Sequence, residues 1–165
     1  MPGVSHTVKC GRTAYGPAAQ AVQCMASLRA SEFESPDRKP VDLVLVIDKS
    51  GSMNGAKMVL TKETAELVVR ELGPTDRLAI VAYDTDVSCD LGLCLMDSRG
   101  KAAARAKIAG IRPGSHTNLS GGLLRGLEEL GAEGGAETAS VLLLTDGLAN
   151  RGIMGTTDIV RVVEG

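Results

Sequence analysis

Asp48, Ser50 and Ser52 stand at alternate positions in the stretch DKSGS, directly after the apolar run Val41 to Ile47. A second apolar run, VLLLT, ends in Asp146, and the intervening loop GSHTN carries Thr117. Two carboxylates and three hydroxyls are all hard oxygen donors, and no thiolate stands among them. Such a set in a rigid turn suits Mg²⁺ first, then Mn²⁺ or Ca²⁺. The two carboxylates balance the charge of one divalent ion. If the hydroxyls bind directly and the carboxylates act through water, the cation stays electrophilic. It then calls for an outside anion, such as the Asp or Glu side chain of a partner protein.

These five residues can meet only if the elements that carry them end at one place. VDLVLVI is nearly continuous in β-branched and Leu residues, which predicts a strand buried on both faces. RLAIVAY and SVLLLTDG read as two further strands of that kind. Helical spacing from Ala56 to Leu72 puts Met58, Thr61, Ala65, Val68 and Leu72 on one face, and Gly73 with Pro74 stops it. DTD makes a tight turn into VSCDLGLCLM, an antiparallel edge strand. A helix is expected from about Ser98 to Ile111, another from after SHTNLS to about Leu130, and a last one from Thr156 or Thr157, either of which can serve as its N-cap. Strands alternating with helices imply an α/β fold, a mostly parallel sheet covered on both faces. In such sheets ligands bind at the carboxyl ends of the strands, where Asp48 and Asp146 lie.

The first forty residues differ. QAVQCMASLRA alternates with period two and reads as a half-buried strand, with HTVKCGR as its partner and TAYGPAA as the turn. SEFESPDRKP is a polar linker. The expected organisation is a small β appendage with its linker over residues 1–40 and an α/β domain over 41–165.

Composition excludes several functions. The net charge is −2 and the basic residues do not cluster, so a nucleic-acid surface is not expected. No apolar run reaches the length of a membrane span, and the N-terminus lacks a signal-peptide core. Membrane insertion is therefore not expected, and the expected location is the cytoplasm. Cys10, Cys24, Cys89 and Cys94 contain no C-x-x-C pair and read as reduced, partly buried thiols.

Simpler readings compete. Ser50 and Ser52 could cap the following helix, but a cap needs one hydroxyl and leaves Asp48 unexplained. Asp146 before Gly147 could be a plain turn. His116 reads as a solvated loop residue, and Asp84 and Asp86 as solvated residues of a hairpin turn. GSMNGAKM lacks the spacing of a phosphate loop and the hydroxyl residue after its lysine. A Mg²⁺-dependent phosphatase would need a second carboxylate where Ser50 stands. A serine hydrolase would need glycine where Asp48 stands. The alternatives kept beside a binding module are thus a hydrolase-like enzyme and a scaffold with an incidental metal site.

DKSGS, Thr117 and LLTDGLAN together resemble the metal-ion-dependent adhesion site of von Willebrand factor type A domains, whose pattern is D-x-S-x-S, a downstream Thr and a later Asp. The resemblance covers residues 41–165. It implies a non-enzymatic, protein-binding module with a Rossmann-like sheet of order 3-2-1-4-5-6 and an antiparallel third strand. It also implies Ser50, Ser52 and Thr117 as direct metal ligands, with Asp48 and Asp146 acting mainly through water. The leader before Val41 resembles microbial and plant-type members rather than the inserted domain of integrins. Members usually continue beyond the helix near Thr157, so the C-terminal part is expected to be short or incomplete at Gly165. An uncovered apolar sheet edge would then be available for pairing with another chain.

Overall fold

Residues 4–10, 24–30, 38–131, 135–147, 149–153, 155, 157 and 158 are described by the structure, a computed structural model. The chain divides into two units, Met1–Arg38 and Lys39–Gly165. In the first, β1 (Val4–Cys10) and β2 (Cys24–Ala30) form the antiparallel pair that the period-two alternation predicted, with Val8 opposite Ala26 and Cys10 opposite Cys24. The expected TAYGPAA turn lies outside the described residues, as does most of the linker.

In the second unit the near-continuous apolar run becomes β3 (Val41–Asp48), and RLAIVAY becomes β4 (Arg77–Tyr83). Helix α1 (Ala56–Glu71) connects them, which is the crossover a parallel pair requires. The hairpin at Asp84–Asp86 turns β4 back into β5 (Val87–Leu95), antiparallel as expected. Helices α2 (Ser98–Gly110) and α3 (Leu119–Gly131) follow, and β6 (Thr138–Leu144) pairs parallel to β3 on its other side. The order β5-β4-β3-β6 is a mixed sheet with three parallel strands and one antiparallel edge.

Alternate residues of β3 face opposite layers. Leu45 and Ile47 join Leu78 and Ile80 beneath Met58, Ala65, Val69, Ala104 and Ile108 of α1 and α2. Val44 and Val46 join Ala79, Val81 and Tyr83 on the α3 side. Helix α3 comes close because Gly126 has no side chain; a Cβ there would lie 2.6 Å from Val46 Cγ2. The buried face of α1 is rotated slightly from the expected one: Val69 is fully buried, whereas Val68 is partly exposed.

β6 departs from expectation. Its burial is partial and Leu142 is 37% exposed, although SVLLL reads as a strand covered on both faces. No described strand pairs with its outer edge; α3 packs on one face, and Leu144 alone reaches the core cluster on the other. Of the expected final helix, Thr157 and Asp158 are helical and the remainder lies outside the described residues. No described helix is long and apolar enough to cross a membrane.

The end of β3 remote from the serines is locked by charge. Asp42, almost completely buried, receives both arms of the Arg77 guanidinium at 2.7 and 2.6 Å and the Ala136 N–H at 2.6 Å. The Arg77 hydrogen bond outweighs burial and holds the Asp42 carboxyl below its usual range. A depressed carboxylate contributes stability above its unfolded pKa, near 3.8, and loses it as pH falls through the folded value. Arg77→Met leaves the buried Asp42 charge uncompensated and is expected to cost about 3–5 kcal/mol in urea denaturation. It should also flatten the acid limb of stability below that pH. Equal wild-type and variant curves from neutral pH downward would show that the fork does not hold the strands together.

Candidate functional site

Asp48 closes β3 with its side chain fully buried. Its Oδ1 accepts the Ser50 N–H at 2.8 Å, and its Oδ2 accepts the Thr145 hydroxyl at 2.8 Å and the Tyr83 hydroxyl at 3.3 Å. Burial, followed by the neighbouring Asp48 and Asp146 charges, raises the Tyr83 phenol, so Tyr83 keeps its proton and donates it. The chain beyond Asp48 forms a short 3₁₀ turn, Gly51–Met53, before α1. Ser50 is buried and Ser52 exposed, and their hydroxyl oxygens lie 3.1 Å apart. Neither serine caps α1: its N-cap is Gly55, at φ 77°, with no side-chain hydrogen bond. The capping explanation for the serine pair therefore fails, and the two hydroxyls hydrogen-bond each other instead.

Two further loops close on this one. Gly51 N–H donates to the Ser115 carbonyl at 2.8 Å, and Gly114 N–H to the Lys49 carbonyl at 2.6 Å, so the threonine loop lies along the serine loop. Thr117 is 2% exposed. Its N–H donates to Asn150 Oδ1 at 2.8 Å, and its carbonyl accepts the Asn150 and Arg151 N–H groups, both at 3.2 Å. The segment after β6 is thereby fastened to Thr117 at one point and to Asp48, through Thr145, at another. Asp146 lies between those points, and its Oδ2 takes an ion pair from Lys57 at 2.8 Å. All five residues marked by the sequence thus belong to three mutually tied loops at the carboxyl ends of β3 and β6.

The surroundings are less bland than the sequence suggests. Asp84 is not a solvated turn residue. It pairs with Lys49 at 2.9 Å and is 14% exposed, and its backbone carbonyl accepts the Asn118 N–H at 2.8 Å. Burial alone would raise its carboxyl; Lys49 and the Asp86 and Ser115 N–H groups outweigh that and hold it low. The exposed His116 lies 3.0 Å from Ser115 Oγ and 3.4 Å from Thr85 Oγ1.

Sequence reasoning missed Tyr83, Thr145, Asn150, Lys49 and Lys57. Thr145 and Tyr83 had a signal, as polar groups ending buried strands. Asn150 had none, because only the folded chain brings it to Thr117. Among the described residues no three His, Cys, Asp or Glu side chains gather as a metal cluster, so a cation site here would have to draw on the hydroxyls. Adjacent neutral hydroxyls beside two carboxylates form a hard, oxygen-only donor set, which fits Mg²⁺ or a similar cation.

The sequence profile of the von Willebrand factor type A domain matches residues 43–149. An E3 ubiquitin-protein ligase of Arabidopsis thaliana, WAV3, is 41% identical over 119 residues, which are 70% of this chain and 16% of the ligase. The inter-alpha-trypsin inhibitor heavy chain H1 of Sus scrofa is 34% identical over 74% of this chain and 14% of its own length. The chain thus spans a small fraction of these relatives. Among solved structures, the vWF domain of the type V pili tip protein Mfa5 from Porphyromonas gingivalis superposes with a TM-score of 0.60 at 28% identity, covering 67% of this chain and 39% of that one. Proximal thread matrix protein 1 of the mussel byssus, solved with a zinc-occupied MIDAS motif, gives 0.56 at 26% identity, covering 68% and 30%. The expected cytoplasmic location finds no support in likenesses that include a pilus tip protein.

Asn150→Ala removes the acceptor of a buried N–H and is expected to cost about 1–3 kcal/mol in chemical denaturation with chelator present. Asn150→Asp keeps an acceptor oxygen and should cost less. Equal stability of both variants and wild type would show that this tie does not hold the loops.

Proposed function

The chain belongs to the von Willebrand factor type A family, and on that premise we propose that it is a divalent-cation-dependent protein-binding module that captures an acidic side chain of a partner. Members of the family commonly serve in adhesion and protein interaction, and the pilus tip protein and byssus matrix protein are similar to this chain. One observation carries the reading. Asp48, the Ser50–Ser52 hydroxyl pair, Thr117 and Asp146 lie on three loops hydrogen-bonded to one another at the strand tips.

Each residue has a role in this reading. Ser50, Ser52 and Thr117 offer neutral oxygens for direct contact. Asp48 has both oxygens engaged by the Ser50 N–H and by the Thr145 and Tyr83 hydroxyls, which favours action at one remove, as a fixed negative charge. Asp146 supplies the second charge. A bound Mg²⁺, with Mn²⁺ or Ca²⁺ as substitutes, would supply a Lewis-acidic centre for the partner's carboxylate. That the similar byssus protein is described with a zinc-occupied MIDAS motif supports a divalent-cation site as the reading here.

An enzymatic reading has less behind it. Ser50 Oγ lies beside Ser52 rather than a base, and His116 contacts Ser115 and Thr85 instead. The ligase named among the relatives is far longer than this chain. Of the described thiols, burial raises both Cys89 and Cys94 and so reduces the thiolate each could offer.

Calorimetric titration with Mg²⁺ tests the site. Wild type should bind, and Ser50→Ala, Thr117→Ala and Asp146→Ala should each weaken binding by about tenfold or more. Partner capture with metal present should be lost in EDTA. Capture that ignores EDTA and survives Asp48→Ala would refute metal-dependent recognition. Unchanged capture by Ser50→Ala and Thr117→Ala, with metal effects confined to the melting temperature, would favour the scaffold.

A further inference from the structure

We propose that Lys57 is a tethered cation that competes with the divalent ion for Asp146 and thereby sets how tightly the site holds metal; this rests on the metal-site reading above. Lys57 Nζ stands 2.8 Å from Asp146 Oδ2. Asp146 is one of the two carboxylates available to balance a divalent charge, so the ammonium holds part of what the ion requires. Asp48 and Asp146 together bring two negative charges, and Lys57 cancels one of them. The nearby Lys49 is matched by Asp84 and leaves that balance unchanged.

The position of Lys57 in α1 points the same way. It is the second residue of the helix, where exposed N–H groups present partial positive charge. The first turn contains no acidic residue, and Gly55 supplies no side-chain cap. A cation there is electrostatically disfavoured by its own helix, so the Asp146 carboxylate is what draws it across. The lysine side chain is 55% exposed and that of Asp146 only 11%. The ammonium therefore has solvent to retreat into, while the carboxylate stays in place. Filling the site with metal exchanges one cation for another at Asp146 and releases the lysine to the rim.

The test is a Mg²⁺ titration of the full chain by calorimetry, with Lys57→Met and Lys57→Arg beside wild type. Removing a half-exposed competing ion pair should tighten Mg²⁺ binding by about two- to fivefold in Lys57→Met. Lys57→Arg keeps the charge and should stay close to wild type. A second readout is the acylation rate of Lys57 in wild type, followed by peptide mass spectrometry, which Mg²⁺ should raise. Equal or weaker Mg²⁺ binding by Lys57→Met, or acylation indifferent to Mg²⁺, would overturn the competition while leaving the metal site intact. Absence of Mg²⁺ binding in wild type and Lys57→Met alike would overturn the metal-site reading itself, and this proposal with it.

Discussion

The Asp48 carboxylate joins what would otherwise be separate loops. One oxygen turns the backbone at Ser50, and the other receives hydroxyls from β4 and from the end of β6. A buried carboxylate is costly unless its lone pairs are met, so each of these donors is required by the burial of the next. The serine turn, the hydroxyl of Tyr83 and the course of the chain through Thr145 are mutually dependent for that reason. The threonine loop joins through main-chain bonds to Lys49 and Gly51.

β3 carries its polar residues near its two ends and none between. Asp42 meets Arg77 and fastens the amino end; Asp48 organises the carboxyl end. From Leu43 to Ile47 the strand is aliphatic, with faces shared between two helical layers. The two ends thus carry different chemistry. The guanidinium fork secures the sheet at one end, and at the other the hydroxyls of Ser50 and Ser52 face each other with no fork or cap to occupy them.

Much of this was legible from residues alone. The alternation of apolar runs with helical spacing gave the element order, and strand ends marked by Asp48 and Asp146 pointed to the crevice. The antiparallel β5 followed from the tight turn at Asp84–Asp86. What escaped was contact between distant loops. Asn150 is an ordinary loop residue until it meets Thr117, and Lys57 is only the lysine of a failed phosphate-loop match until Asp146 lies beside it. β6 is only partly buried although SVLLL is apolar throughout, because an apolar run cannot reveal whether a neighbour covers its far side. On α1 and its C-cap, Met58, Ala65 and Leu72 are buried as their spacing predicts, but Val69 is buried more fully than Val68, since the two are equally apolar and packing alone chooses between them.

The three-loop closure also constrains the order of events in folding. Gly114 meets Lys49 and Thr145 meets Asp48 across longer stretches of intervening chain than the β3–β4 pairing spans. Contacts so remote in sequence carry a high loop-closure cost and form late. The β3–α1–β4 unit can assemble early from nearer neighbours, yet it holds only one of the three loops. A nascent chain still lacking β6 would present DKSGS without Thr145 and Asn150, the groups that fasten the loops around it.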